Sequence, residues 1–240
     1  MNQLKKTVHK LFQMSGRDFL PYTYDNFYSL RRFKILENAK INLVLDIGAN
    51  EGTYAQQLRD DGFSGRIISF EPLYEPFQIL KKKSRYDSLW DCEQIALGDS
   101  IGETTINVSE HITSSSILPI TDNHISACPS SNTVGTEKIN VATVDSLREK
   151  YFRLDDRILM KIDVQGYEKH VLDGARVSLD QTQVIEIELS LARMYEGGPL
   201  LKNMLTFLEE LGFSLVAINP VFSDPATGYT LQVDGIFTRT

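Results

Sequence analysis

The chain has 240 residues, of which 42% are hydrophobic and 24% charged, with a formal net charge of -7. That length buries enough surface to fold without disulfide or metal staples, and the negative balance argues against a general nucleic-acid binder. Cys92 and Cys128 lack paired-ligand spacing, which argues against a cysteine zinc site.

Residues 1–38 read as an amino-terminal helical and aromatic extension. Leu4, Val8, Leu11 and Phe12 recur at helical spacing, and Gly16 and Pro21 break that helix. Phe19, Tyr22, Tyr24, Phe27 and Tyr28 lead into a second helix near residues 25–37. These aromatics either line a substrate mouth or pack the extension onto the rest of the chain or onto a second copy, so a homo-oligomer is an open expectation. The basic start, Met1 to Lys6, precedes no apolar run of signal-peptide length. No segment approaches the roughly 18 apolar residues of a membrane span. The expectation is a cytoplasmic protein.

From residue 39 to 240 the pattern predicts one domain in which strands alternate with helices. Strands are expected at 43–46, at 66–71 (stopped by Pro72) and at 93–97, with helices at 53–59 and 74–84 between them. The cluster Lys81, Lys82, Lys83 and Arg85 reads as a solvated helix end that complements the helix dipole. Short strands at 104–108 and 139–141 flank a polar stretch, 109–135, which carries His111, His124 and Cys128 and reads as a lid or as disorder. A helix at 143–151 starts on Thr143 or Asp145 as its cap. Strands at 158–163 and 184–189, a helix at 200–211 ended by Gly212, and strands at 214–218 and 232–237 complete the chain. This rhythm predicts an α/β fold with a doubly wound, seven-stranded, mostly parallel sheet.

The chain is organised around Asp46-Ile47-Gly48-Ala49-Asn50-Glu51-Gly52, a buried strand end followed by a tight turn. A nicotinamide site needs Gly-x-Gly-x-x-Gly, and here Asn50 and Thr53 stand at the second and third positions. An acid before Gly-x-Asn-x-Gly suits instead a nucleoside ligand with an amine at its other end, such as S-adenosylmethionine. Further acids end successive strands: Glu71, Asp99 (just past its strand), Asp163 and Glu188. Glu71, 25 residues after Asp46, stands where a carboxylate accepts both ribose hydroxyls.

Four ordered motifs are similar to those of the FkbM family of S-adenosylmethionine-dependent methyltransferases: the stretch 46–52, Ser69-Phe70-Glu71-Pro72, Ala96-Leu97-Gly98-Asp99, and Lys161-Ile162-Asp163-Val164-Gln165-Gly166-Tyr167-Glu168. The resemblance spans roughly residues 40–240 and implies a class I methyltransferase sheet whose last strand is antiparallel. It implies O-methylation of a hydroxyl on a sugar, glycan or secondary metabolite. It places Asp46, Gly48, Ala49, Asn50 and Gly52 at the methionine part of the cofactor. Glu71 and Pro72 fall at the ribose, and Ala96, Leu97 and Asp99 beside the adenine. Asp163 falls beside the methyl group and amine. The chain departs from the commonest family pattern at Gln165, where an acid is frequent.

Candidate bases for the hydroxyl proton are Asp163, Glu188, His111 and His124. Asp163 and Glu188 either share that proton or bind a Mg²⁺-like ion through oxygen ligands. Lys161 shares a strand face with Asp163 and can simply pair with it. Arg193 and Tyr195, after the fifth strand, either contact an acceptor or pack the loop. The reading is an O-methyltransferase acting on a small-molecule or glycan acceptor. An N-methyltransferase on an amino sugar or amine, or an inactive methyltransferase-like binding module, are its rivals.

Overall fold

The structure, a computed structural model, describes residues 23–240. The helix expected around Leu4, Val8, Leu11 and Phe12, and the aromatics Phe19 and Tyr22, lie outside the described residues. Helix α1 covers Tyr28–Asn38. Strand β1 (Leu43–Ile47) follows, buried at all five positions, as expected of a strand covered on both faces. Helix α2 (Thr53–Asp60), β2 (Arg66–Phe70), α3 (Tyr74–Ser84) and β3 (Trp90–Glu93) come next.

Residues 96–142 build a second, smaller sheet from β4 (Ala96–Leu97), β5 (Gly102–Ser109) and β6 (Thr133–Ala142), with α4 (Asp122–Ala127) between the last two. Then follow α5 (Arg148–Tyr151), β7 (Ile158–Ile162), α6 (Glu168–Asp173), β8 (Thr182–Ser190), α7 (Leu201–Glu210), β9 (Phe213–Ser223) and β10 (Thr230–Arg239). The main sheet has seven strands in the order β3-β2-β1-β7-β8-β10-β9. Strand β10 runs antiparallel to both β8 and β9, so the last strand of the chain is the reversed one.

Alternation along β1 divides the core. Leu43, Leu45 and Ile47 face a cluster with Val171, Leu172, Met204 and Leu208 of α6 and α7. Val44 faces the opposite cluster, with Leu36 of α1, Ala55 and Leu58 of α2, and Leu80 of α3. Asp46 shares the face of Val44. The register sets it opposite Ser69 on β2 and Lys161 on β7.

Three expectations are corrected, and one left open, for 109–135, is decided. The third strand of the main sheet is Trp90–Glu93, paired with β2. Ala96 and Leu97, expected to extend it, pair instead with Val141 and Ala142 in the smaller sheet. The stretch 109–135 is a folded cap, tied to the loop after β8 by the Thr121 amide on the Met194 carbonyl (3.0 Å) and the Glu196 amide on the Pro119 carbonyl (2.8 Å). Strand β9 also runs to Ser223, into the segment expected as a loop, 219–229, and β10 starts right after that segment at Thr230. Pro220 is tolerated there because β9 is the sheet edge. The helix expected at 143–151 is a 3-10 turn, Asp145–Leu147, followed by the short α5, and neither has a side-chain cap at its N-cap; Thr143 Oγ1 accepts the Ser146 amide at 3.1 Å just before them.

Candidate active site

The turn after β1 folds back on its neighbours. The Gly48 and Ala49 amides both reach the Phe70 carbonyl at 3.0 Å, and the Asp163 amide reaches the Ile47 carbonyl at 3.0 Å. Gly48 has φ +78°, and a Cβ there would sit 1.9 Å from the Asp163 carbonyl oxygen. Only glycine fits that backbone and that contact. Asn50 also adopts positive φ, at 48°, and its side chain accepts the next amide, from Glu51, at 2.8 Å.

Glu71 joins two loops. Its Oε2 accepts the Asn50 amide and its Oε1 the Leu73 amide, each at 2.8 Å. Burial outweighs those two donors and pushes its carboxyl up to about 7. Each oxygen keeps a lone pair for a hydroxyl.

Asp46 is fully buried and supports the turn from below. Ser69 Oγ donates to its Oδ2 at 2.9 Å, and Trp90 Nε1 donates to Ser69 Oγ at 3.0 Å. The Lys161 ammonium lies 3.7 Å from Asp46 Oδ1 and 3.3 Å from Asp163 Oδ2. Lys161 thus serves both acids, and their charge pushes its own proton affinity up despite burial.

Gln165, also at positive φ (56°), connects the acids at the strand ends. Its amide nitrogen donates to Asp163 Oδ1 at 2.7 Å and to Glu188 Oε2 at 2.9 Å. Its amide oxygen takes the Tyr195 hydroxyl. Gln232 of β10 adds a second donor to Glu188 Oε2, at 2.6 Å. Burial, with Asp163, Glu168 and Asp234 nearby, pushes the Glu188 carboxyl well above its ordinary value. This donor set does not suit a cation: an amide nitrogen occupies the point between the two carboxyls where an ion would bridge them. Among the described residues no group of three His, Cys, Asp or Glu is placed to hold a metal.

Two cavities meet here. The first, about 380 Å³, runs from Glu71, Pro72, Ala96 and Leu97 to His124 and Gln232. Its near end is an apolar slot completed by Leu73, Ile95 and Ile106, suited to a planar base. The second, about 460 Å³, lies toward α1 and α2. Gly48, Asn50, Asp163 and Glu188 line both.

The expected residues are distributed around these spaces. Gly48, Asn50, Glu71, Pro72, Ala96, Leu97, Asp163, Glu188 and His124 all reach the first cavity, and Ala49 the second. Asp46 and Gly52 stand behind the wall; a Cβ on Gly52 would come within 2.8 Å of Leu80 and Trp90. Asp99 is at the surface, 2.7 Å from His170 Nδ1, and outside both linings. His111 is an exposed rim residue bonded to Thr113 at 2.8 Å. His124 is only 3% exposed and packs edge-on against Tyr195, at 5.2 Å between ring centroids. Burial lowers its proton affinity. Tyr195 is a buried strut, and Arg193 contributes its carbonyl to Thr121 Oγ1 at 2.8 Å.

Sequence reasoning missed Gln232, Asp234 and Arg32 of α1, while Tyr28, one of the aromatics left between lining a mouth and packing, lines the second cavity. The first two interrupt an otherwise apolar strand, which was a usable signal. Burial, helped by Glu186 and Asp163, pushes the Asp234 carboxyl up to about 7.

A mostly parallel sheet closed by one reversed strand, with acids at successive strand ends beside an apolar slot, is the arrangement of the class I methyltransferase fold, which binds its ligand at the strand carboxyl ends. Residues 46–215 match the methyltransferase FkbM domain, and the chain belongs to that S-adenosylmethionine-dependent family. A solved FkbM methyltransferase from Methylobacillus flagellatus KT shares the fold, with a TM-score of 0.50 and 13% identity. That match covers 81% of this chain and 43% of the other, so the present chain spans under half of that protein. The precorrin-6y C5,15-methyltransferase of Geobacter metallireducens GS-15 matches at a TM-score of 0.45 and 12% identity, covering 87% of each chain. Sp1610 of Streptococcus pneumoniae, solved in complex with S-adenosyl-L-methionine, matches at 0.45 and 10% identity, covering 86% of this chain and 72% of that one. No curated protein matches the chain in sequence. Among the described residues no helix is long and apolar enough to cross a membrane.

Proposed function

We propose that this protein is an O-methyltransferase that uses S-adenosylmethionine to methylate a hydroxyl of a sugar, glycan or secondary metabolite in the cytoplasm. The observation that carries the reading is the first cavity: an apolar slot flanked by the buried carboxyl of Glu71 opens directly onto Asp163, Glu188 and His124.

Ala96, Leu97 and Leu73 would flank the adenine, and Glu71 would accept the ribose hydroxyls. The turn 48–50 leaves backbone close to the ligand, and Asp163 would receive its amine. When bound, the cofactor supplies a methyl group on a positively charged sulfur. The chain's task is to orient a hydroxyl and take its proton. His124 is the better acceptor for that proton, because burial keeps its ring neutral. Burial and the neighbouring acids raise the proton affinity of Glu188, which would hold the acceptor oxygen in place.

Calorimetric titration with S-adenosylmethionine, S-adenosylhomocysteine and NADH tests the cofactor. Binding of both adenosyl ligands without NADH supports the reading, and binding of NADH alone ends it. Transfer of labelled methyl from the cofactor to a panel of glycosides, hydroxylated secondary metabolites and matched amines then tests the acceptor. Label found only on amines would replace O-methylation with N-methylation. His124→Asn is expected to lower turnover by about 10² or more with S-adenosylhomocysteine affinity unchanged.

A further inference from the structure

The second cavity reaches well past the turn after β1. Its wall crosses the sheet to β10 and β9, which stand three and four strands from β1. At about 4.8 Å per strand, that end lies roughly 14–19 Å from the turn.

The strand register sets a row of polar side chains along this wall. Glu188 on β8 lies directly opposite Asp234 on β10, and Asp234 lies directly opposite Asn219 on β9. Residues opposite one another share a face of the sheet, and all three line the cavity. Neighbours in the row are one strand apart, about 4.8 Å. Glu188 takes the Gln165 and Gln232 amides on one oxygen. The side chains of Asp234 and Asn219 make no hydrogen bond with any described residue.

Helix α1 packs on the same face of the sheet, and its Arg32 also lines the cavity. Arg32 is only 5% exposed and reaches Asp61 at 3.1 Å and Glu186 at 3.7 Å, yet its Nε is buried without a partner. A buried N–H in that state costs free energy that a ligand oxygen recovers.

The charges around the cavity are mixed. Asp163, Glu186, Glu188 and Asp234 line it together with Arg32 and Lys161, and Lys161 is engaged by Asp46 and Asp163. An anionic ligand meets the carboxyls, and a cationic one meets the two basic side chains. What stays unspent is hydrogen bonding: acceptors on Asp234, a donor and an acceptor on Asn219, and a donor on Arg32. Hydroxyls both donate and accept, so an uncharged molecule carrying several of them satisfies every one of these groups.

We infer that the β10 and β9 end of the second cavity holds the ring of an uncharged sugar acceptor, with hydroxyls on Asp234, Asn219 and Arg32 and the hydroxyl to be methylated beside Glu188. The inference rests on the O-methyltransferase reading and deepens it. It selects a sugar over an apolar secondary metabolite and makes Asp234, Asn219 and Arg32 the residues that discriminate. It also gives α1 a part in acceptor choice, although the sequence sets that helix in an extension outside the methyltransferase domain.

Saturation-transfer NMR on the full-length protein loaded with S-adenosylhomocysteine tests this. The probes are methyl glycosides of glucose, galactose and mannose, set beside methyl glucosaminide, methyl glucuronide and cyclohexanol. The expected result is that an uncharged glycoside binds in preference to the two charged ones and to cyclohexanol. It binds roughly tenfold more weakly to Asp234→Leu and roughly threefold more weakly to Asn219→Leu, while calorimetry finds S-adenosylhomocysteine affinity equal in all three proteins. Preference for the glucosaminide, the glucuronide or cyclohexanol overturns the inference. So does the absence of any glycoside signal from protein that binds S-adenosylhomocysteine, or glycoside affinity unchanged in either variant that keeps its S-adenosylhomocysteine affinity. Failure of the unaltered protein to bind S-adenosylhomocysteine refutes the cofactor reading itself, and the inference falls with it.

Discussion

Gln232 on β10 sets its amide nitrogen 2.6 Å from Oε2 of Glu188 on β8, across the antiparallel pair that closes the sheet. Gln165 brings a second amide to the same oxygen at 2.9 Å. Oε2 thus accepts twice, whereas Oε1 takes no hydrogen bond among the described residues. Gln232→Leu leaves one donor fewer for the ionised form, so the carboxyl moves further up. Infrared titration reads this through the protonated-carboxyl band that Glu188→Gln abolishes. That band persists to higher pH in Gln232→Leu than in the unaltered protein. A shift to lower pH would count against the two-amide clamp.

Gly48→Ala is expected to destabilise the fold by about 3 kcal/mol or more, combining a left-handed backbone with an overpacked contact. The added Cβ meets the Asp163 carbonyl at 1.9 Å, so it also pushes the β7 end away from the β1 turn. Denaturant unfolding measures the stability. A loss below about 1 kcal/mol would mean that the turn and the Asp163 backbone are not in contact.

Much of the site was legible before any coordinates. An apolar run ending in Asp46 and glycines can only be a buried strand feeding a close-approach turn, and Glu71 sits at the next strand end by the same logic. Other features depend on information no local pattern carries. Ala96 and Leu97 continue an apolar run from Ile95, so hydropathy joins them to the third strand; their pairing with Val141 and Ala142, extended by the Gly98 amide on the Ala142 carbonyl (2.9 Å), sets them in another sheet. Gln232 and Asp234 are marked in the sequence as polar residues in an apolar strand, but the register that sets them opposite Ser190 and Glu188 is not. Arg32 reads as an ordinary exposed helix cation until Asp61 and Glu186 are seen beside it.

The single tryptophan reports on the buried support of the turn. Ser69 Oγ receives from Trp90 Nε1 and donates to Asp46 Oδ2. Ser69→Ala deletes both bonds, leaving the indole N–H unpaired and Asp46 with only the more distant Lys161. The expected cost is about 2–3 kcal/mol, with a shift in Trp90 fluorescence in the native state. Stability within about 0.5 kcal/mol of the unaltered protein would show that this chain of bonds does not hold the turn.

Glu71 makes both stability and ligand binding depend on pH in a stated direction. Its carboxyl lies near 7 in the folded protein against an ordinary value of 4.5. Between those values the folded state holds more protons than the unfolded state, so stability falls as pH rises through the window. The contribution present below pH 4.5 and lost by pH 7 is about 3 kcal/mol for this group. Glu168 and Asp234, also pushed up to about 7 by burial, act with the same sign. His124, pushed down from 6.5, opposes them at the upper end, because the unfolded imidazole takes up a proton there first. The melting temperature should therefore fall from pH 5 to pH 7.5, and Glu71→Gln should flatten the slope. S-Adenosylhomocysteine draws on the ionised carboxylate for its ribose hydroxyls, so its binding tightens across the same range and releases a proton, measurable by calorimetry in buffers of different ionisation enthalpy. Glu71→Ala is expected to weaken that binding by about 1–3 kcal/mol. An equal slope in Glu71→Gln, or pH-independent ligand affinity, would remove Glu71 from the ribose site.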